Sequence, residues 1–141
     1  MKVLFICKYN AGRSRMAVAF FNKYTKKNKA MSCGIGQNPK LPSNRKGING
    51  TITVMNELNI AVPHNFGRGV TRKDIADADK IVVLLDKKQI HILPRYVSAS
   101  PKTEYHPIPD SDGRAADFLD QQRRNRDMVK RIVQKLVRKV G

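Results

Sequence analysis

The chain lacks what several protein classes require. Two cysteines in 141 residues cannot make the disulfide framework of a small secreted scaffold. The longest apolar run, Met16 to Phe21, is six residues, far short of the ~18 needed to cross a bilayer. The amino-terminal stretch is not a secretory signal: Lys2 leads into Val3-Leu4-Phe5-Ile6 and then polar Cys7-Lys8-Tyr9-Asn10. The most unusual absence is acid. No Asp or Glu precedes Glu57, while eleven Lys and Arg side chains stand in residues 1–56. These absences leave a soluble, cytoplasmic protein with reduced thiols, organised as one domain over 1–141. A chain of this length can bury roughly 70% of its unfolded surface, so a real core is expected.

What is present is positive charge. Lys and Arg total 28 against 11 Asp and Glu, giving +17 and a pI near 10.3. Such a field attracts anions: phosphorylated substrates, nucleic acid or acidic membrane. A basic anion- or nucleic-acid-binding protein is therefore one candidate class, although no zinc finger, RNA-binding aromatic motif or homeodomain pattern occurs. Nucleic-acid attraction from this field would be non-specific.

The apolar pattern predicts an alternation of strands and helices. Lys2 to Ile6 reads as a short, fully buried strand of the kind found in parallel sheets. Met16, Ala17, Phe20, Phe21 and Tyr24 recur at helical spacing over about 14–27. Ala30 to Cys33 is a second strand. Residues 34–50, with two prolines and four glycines, read as a loop, followed by a helix with Ile52, Met55 and Leu58 on one face. Thr71-Arg72-Lys73-Asp74 marks a helix start, with Thr71 as cap. Lys80 to Leu85 is the strongest strand, 87–93 a short helical segment, and Thr103 to Ile108 a weaker strand. From about Ala115 to Val140 the pattern is a long amphipathic helix whose basic residues form a solvated face. The order implies right-handed crossovers and a parallel sheet covered on both faces. Ligands in such sheets bind outside the carboxyl ends of strands.

The first strand ends at Cys7, in Cys7-Lys8-Tyr9-Asn10-Ala11-Gly12-Arg13-Ser14. A thiol between a buried strand and a helix start meets outward backbone N–H groups that attract anions. The amides of residues 8–13 can form a nest for phosphate-like oxygens. Gly12 and Asn10 tolerate the backbone angles this needs. The helix end and a nearby cation favour the thiolate, a nucleophile suited to phosphorus. Arg13 offers a planar fork for two phosphoryl oxygens, and Ser14 can donate to the sulfur as it leaves. Read as structure alone, Cys7 would be a packing residue at a strand end and Arg13 a surface charge.

A second candidate is Ile108-Pro109-Asp110-Ser111-Asp112-Gly113. A carboxyl group beside the phosphoryl centre can protonate the leaving oxygen and then deprotonate water. Asp110 and Asp112 both qualify, and the same residues suit a plain turn before the last helix.

These segments together resemble the low-molecular-weight phosphotyrosine phosphatase superfamily, which includes arsenate reductases. The resemblance spans nearly the whole chain. It rests on Cys7, Asn10, Arg13 and Ser14, on Ser32-Cys33-Gly34, on Met55 to Ile60, on 68–79, on Ile81 to Leu85 and on Ile108-Pro109-Asp110. It implies a three-layer α/β/α fold with a four-stranded parallel sheet and a cysteinyl-phosphate mechanism without metal or cofactor. It assigns the general acid to Asp110. The expected substrate is a phosphorylated protein or small phosphomonoester, and the expected state a monomer off the membrane. Two departures bear on tyrosine specificity. Asp110 is followed by Ser111 and Asp112 rather than proline, and neither the acid loop nor 34–50 offers an aromatic wall. Tyr9 and Phe66 are the available substitutes for stacking a ring.

Asn10 to Ala17 also resembles arsenate reductases, and arsenate shares the shape and charge of phosphate. The thioredoxin-coupled members carry two further cysteines just after the third strand. Here that stretch, 86–93, has none, and Cys33 reads as packing. Arsenate reduction would therefore need an external thiol. The three histidines suggest no metal site by their spacing, although His106 falls near the acid loop.

Overall fold

The structure is a computed structural model, and it describes residues 1–35, 42–65 and 67–140. Its strands are β1 (Lys2–Cys7), β2 (Lys29–Gly34), β3 (Lys80–Val83) and β4 (Thr103–Tyr105); its helices are α1 (Arg13–Tyr24), α2 (Pro42–Asn56), α3 (Arg72–Asp77), α4 (Arg95–Ser98) and α5 (Phe118–Val140). A 3-10 helix, Lys87–Ile92, joins β3 to α4. All strand pairs are parallel, in the order β2-β1-β3-β4. The expected three-layer α/β/α arrangement is the one observed.

The apolar run of β1 follows from its place at the centre. Successive strand residues face opposite sides of a sheet, and both sides are covered. Val3 and Phe5 enter a core with Met16, Phe20 and Phe21 of α1, Val54 and Met55 of α2, and Val129 and Val133 of α5. Leu4 and Ile6 enter a second core with Ile75 of α3, Val97 of α4, and Cys33, Ile81 and Leu85. The chain leaves β1 toward β2 on one side and places β3 on the other. The crevice between the carboxyl ends of β1 and β3 is thus a topological switch point, and Cys7 lies there.

The long helix α5 buries Phe118, Gln122, Asn125, Val129, Val133 and Leu136, a stripe at three- and four-residue spacing. After Phe118 the buried face is polar at Gln122 and Asn125 and aliphatic from Val129 onward. Glu57, just beyond α2, ties the two helices together. It accepts from Arg123 at 2.8 Å and Arg126 at 2.8 Å. The Arg123 contact above all holds its carboxyl below the usual range.

Several boundaries differ from the sequence expectation. The loop over 34–50 is helical from Pro42 onward; its segment 36–41 lies outside the described residues. The strand expected over 103–108 stops at Tyr105, because Pro107 and Pro109 cannot donate to a ladder. Helix α1 ends at Tyr24 and α5 begins at Phe118, each shorter than the periodicity suggested. The expected Thr71 start is observed with a reciprocal capping box to Asp74. The short α4 was not foreseen. Among the described residues no helix is long and apolar enough to cross a membrane.

Candidate functional site

The loop after β1 is shaped from outside. Five of its carbonyls accept a hydrogen bond from outside the loop. Ile35 N donates to the oxygens of Cys7 (3.1 Å) and Lys8 (2.9 Å). The Arg15 guanidinium donates to Asn10 O, Thr51 Oγ1 to Ala11 O at 2.8 Å, and Met16 N to Gly12 O at 2.9 Å. In a trans peptide the N–H points opposite to its own carbonyl. Outward carbonyls at 7, 8, 10, 11 and 12 therefore turn the amides of Lys8, Tyr9, Ala11, Gly12 and Arg13 toward the interior of the loop. Asn10 stands at φ 56°, the left-handed region that Asn tolerates better than most residues. The loop also packs so closely on β2 that a Cβ on Gly34 would meet Lys8 O at 2.7 Å.

Asn10 and Ser14 orient the thiol. Asn10 Nδ2 donates to Ser14 Oγ at 2.8 Å, and that hydroxyl lies 3.0 Å from Cys7 Sγ. With its oxygen already accepting from Asn10, the hydroxyl's own hydrogen is available to the sulfur. Asn10 Oδ1 accepts from Arg68 N at 3.1 Å. All three side chains are buried or nearly so, and α1 opens with no side-chain cap and no acid in its first turn.

Arg13 reaches from the start of α1 across the switch point. Its NH1 donates to Ile108 O at 3.0 Å and Leu84 O at 3.3 Å, and its NH2 to Asp110 Oδ1 at 3.3 Å. The guanidinium is 6% exposed and the carboxylate 39%. Asp110 is held from two further directions. Gln89 Nε2 donates to Asp110 Oδ2 at 2.9 Å, and the Asp110 amide donates to Asp86 Oδ2 at 3.2 Å. The Lys88 amide above all, against some burial and with the Asp110 amide adding, keeps the Asp86 carboxyl below its ordinary range. Asn125 Nδ2 of α5 donates to Pro109 O at 2.8 Å, fixing the loop's approach.

Cys7, Arg13, Asp110 and Asn125 line a cleft of about 670 Å³ that also contains Tyr9, Lys46, Asp112, Arg114 and Phe118. The structure thus brings together Cys7, Asn10, Arg13, Ser14 and Asp110. Asp112 faces the same cleft but spends Oδ1 on Arg114 N, at 2.9 Å, as a turn residue does. Tyr9 supplies a ring at the cleft, with Lys8 Nζ 4.9 Å from its centroid. Phe66 lies outside the described residues. His106 does not reach the acid; it meets Glu104 on β4 at 3.3 Å. Cys33 is fully buried, and burial pushes its thiol well up. Among the described residues no three His, Cys, Asp or Glu side chains gather to hold a metal ion.

Contributors missed at the level of sequence include Gln89, Asp86, Arg15, Thr51, Asn125 and Gln122. Arg15 is buried and fully occupied, donating to Pro63 O at 3.2 Å and Asn65 O at 2.6 Å besides Asn10 O. Burial lowers its pKa, the nearby Cys7 sulfur opposes that, and Arg45 reinforces it. Gln122 backs the loop from α5, donating from Nε2 to Gly47 O at 3.2 Å and Thr51 Oγ1 at 3.4 Å.

The family's sequence profile, low molecular weight phosphotyrosine protein phosphatase, matches residues 2–141. The chain belongs to that family. Among solved structures it is similar to an arsenate reductase in the phosphate-binding state (26% identity, TM-score 0.77, covering 99% of this chain and 98% of the other). It also shares its fold with the tyrosine phosphatase Wzb from Escherichia coli K30 in complex with sulphate (18%, TM-score 0.78, 99% and 98%). A third relative by fold is the YwlE arginine phosphatase from Geobacillus stearothermophilus (21%, TM-score 0.77, 99% and 92%). No curated protein matches the chain. Membership supports a phosphatase or an arsenate-reductase-like activity for this member.

Proposed function

We propose that this family member is a phosphatase that hydrolyses phosphomonoesters through a cysteinyl phosphate on Cys7. The observation that carries the reading is the convergence of Cys7, Arg13 and Asp110 on one cleft, with Arg13 in contact with Asp110 at 3.3 Å. The phosphoryl group would sit in the loop against the amides of residues 8–13, with Asn10, Ala11 and Gly12 giving the loop its shape. Arg13 has NH1 committed to backbone carbonyls. Its remaining edge, including the NH2 that meets Asp110, is the part free to share phosphoryl oxygens.

In the first step Cys7 Sγ attacks phosphorus, the bond to the ester oxygen breaks, and Asp110 delivers its proton to that oxygen. In the second, Asp110 takes a proton from water, the water oxygen attacks phosphorus, and the sulfur leaves with Ser14 donating to it. Amides already turned toward the developing charge need no reorganisation during either step. The alternation of Asp110 between acid and base restores the starting state.

The test is a rapid-quench reaction with an aryl phosphate, followed by peptide mapping. A phosphoryl adduct on Cys7 is expected. Cys7→Ser should abolish turnover and leave phosphate binding largely intact; substantial residual turnover overturns the reading.

A second reading, arsenate reduction with an external thiol, is favoured by the 26% identity to an arsenate reductase. Two-electron reduction of arsenate to arsenite would oxidise two thiols to a disulfide. Cys33 is buried with its thiol pushed up, and 86–93 holds no cysteine, so a thiol from another molecule must complete it. Arsenate-dependent consumption of a small thiol, with negligible phosphatase activity, would establish this reading instead.

A further inference from the structure

The cations of α5 fall into two halves. In the first half each arginine has an acidic partner: Arg123 with Glu57 and Asp120, Arg124 with Asp117, Arg126 with Glu57 and Asp127. Beyond Asp127 the sequence holds Lys130, Arg131, Lys135, Arg138 and Lys139 and no acid at all. Among the described residues none of these five has an ion-pair partner. Arg138 and Lys139 suit the carbonyl end of a helix. Arg131 and Lys135 lie further in, and Arg131, Lys135 and Lys139 repeat at four-residue spacing, where like charges repel one another.

That stripe borders a groove between α5 and the open β4 edge of the sheet, about 420 Å³ in volume. Its floor is aliphatic: Pro107, Ile108, Met128, Ile132 and Leu136. Tyr105 is 40% exposed at its wall. The groove has one acid, Glu104, already paired with Lys80 at 2.9 Å and in contact with His106 at 3.3 Å. An apolar trough with unanswered positive charge along one rim calls for an occupant that is apolar on one side and acidic on the other.

We propose that this groove docks an acidic, aliphatic-bearing peptide segment of a partner protein. Leucine-like side chains would cover the floor, and carboxylates would answer Arg131, Lys135 and Lys139. Nucleic acid fits less well, because its backbone brings phosphates without side chains for an aliphatic floor, and bases need aromatic platforms. The groove ends at Ile108, two residues before Asp110, so a segment held here lies around the sheet edge from the cleft. The proposal concerns binding alone and stands or falls separately from the phosphatase reading.

The experiment is a fluorescence-anisotropy titration of the full chain with a labelled ten-residue peptide of alternating Glu and Leu. Three comparisons accompany it. Arg131→Glu/Lys135→Glu reverses two charges in the groove. Lys73→Glu/Arg95→Glu makes the same charge change on α3 and α4, across the sheet. A Glu/Ser peptide removes the aliphatic side chains. Circular dichroism confirms that each variant is folded. Weakening of about tenfold or more is expected for the groove variant and for the Glu/Ser peptide, with a far smaller change for the control. Equal loss in both variants would mean a general field and would overturn the proposal, as would equal binding of the Glu/Ser peptide. Absence of peptide binding, with a single-stranded RNA binding through Arg131 and Lys135, would overturn it in favour of a nucleic-acid surface.

Discussion

Gln89 Nε2 holds Asp110 Oδ2 at 2.9 Å while Gln89 Oε1 faces Arg13 NH1 at 3.4 Å. One amide thus bridges the carboxylate and the guanidinium of the cleft from a position that touches neither the thiol nor the loop. If Arg13 NH2 turns toward phosphoryl oxygens, the Asp110 carboxylate loses one of its two side-chain donors and keeps the other, Gln89. Gln89→Leu is expected to lower kcat by about tenfold for phosphomonoesters with poor leaving groups, where proton delivery matters most. KM and inhibition by inorganic phosphate should change little. An unchanged dependence on leaving-group acidity would show that Gln89 has no part in placing the acid.

The two aspartates of the acid loop should separate cleanly. Asp110→Asn is expected to slow turnover by roughly 10²–10⁴, and Asp112→Asn by far less, since Asp112 serves a turn at Arg114. Steady-state rates with a phenyl phosphate series decide it. A larger loss at Asp112 would move the acid.

Asn10 does two jobs that two substitutions can divide. Asn10→Gly keeps access to φ 56° and removes the contacts to Ser14 and Arg68. Asn10→Ala removes both and adds backbone strain of about 1–3 kcal/mol. Denaturant unfolding should rank Ala below Gly in stability, while both weaken phosphate binding by calorimetry. Equal stability would mean that the backbone conformation carries no strain.

Acid should weaken the fold through Asp74. Burial opposes its ionisation, but the Arg68 hydrogen bonds, at 2.9 Å each, and those from Thr71 outweigh it and hold its carboxyl below the ordinary value. A depressed folded pKa means that stabilisation is present above the unfolded value of about 3.9 and is lost as pH falls through the folded one. Wild type should therefore lose more stability between about pH 5 and pH 2 than Asp74→Asn does. Urea midpoints across that range measure it, and parallel curves would refute the assignment.

Thiol chemistry should distinguish the cysteines. Cys7 opens on the cleft, whereas Cys33 is fully buried with its thiol pushed up. Alkylation of the native chain, mapped by mass spectrometry, is expected at Cys7 and not at Cys33 until the chain is unfolded.

The parts of the fold that announce themselves do so because local sequence and tertiary context agree. The run Lys2 to Cys7 is apolar throughout since both faces of β1 are covered, and the stripe of α5 repeats with the helix period. The start of α2 did not announce itself. Gly47 and Gly50 read as turn residues, yet both lie within a helix. They are small because neighbours press on them: a Cβ at Gly50 would collide with Gln122 Oε1, and one at Gly47 would meet Ala11 Cβ at 3.2 Å. Packing of Ile48, Thr51, Val54 and Met55 outweighs the propensity of the glycines. The cysteine loop was legible as a contiguous motif. Gln89 was not, because its partners stand 21 and 76 positions away. Its one local signal is the Asp86-x-x-Gln89 spacing of a capping box, which the 3-10 helix indeed carries.

The outward commitment of the loop carbonyls has a consequence for affinity. A ring of peptide groups fastened to Ile35, Arg15, Thr51 and Met16 keeps its shape whether or not an anion occupies it. A tetrahedral oxyanion therefore meets a receptacle cast in advance, and loosening any one fastening should dull its grip without touching a single atom that the oxyanion itself would contact.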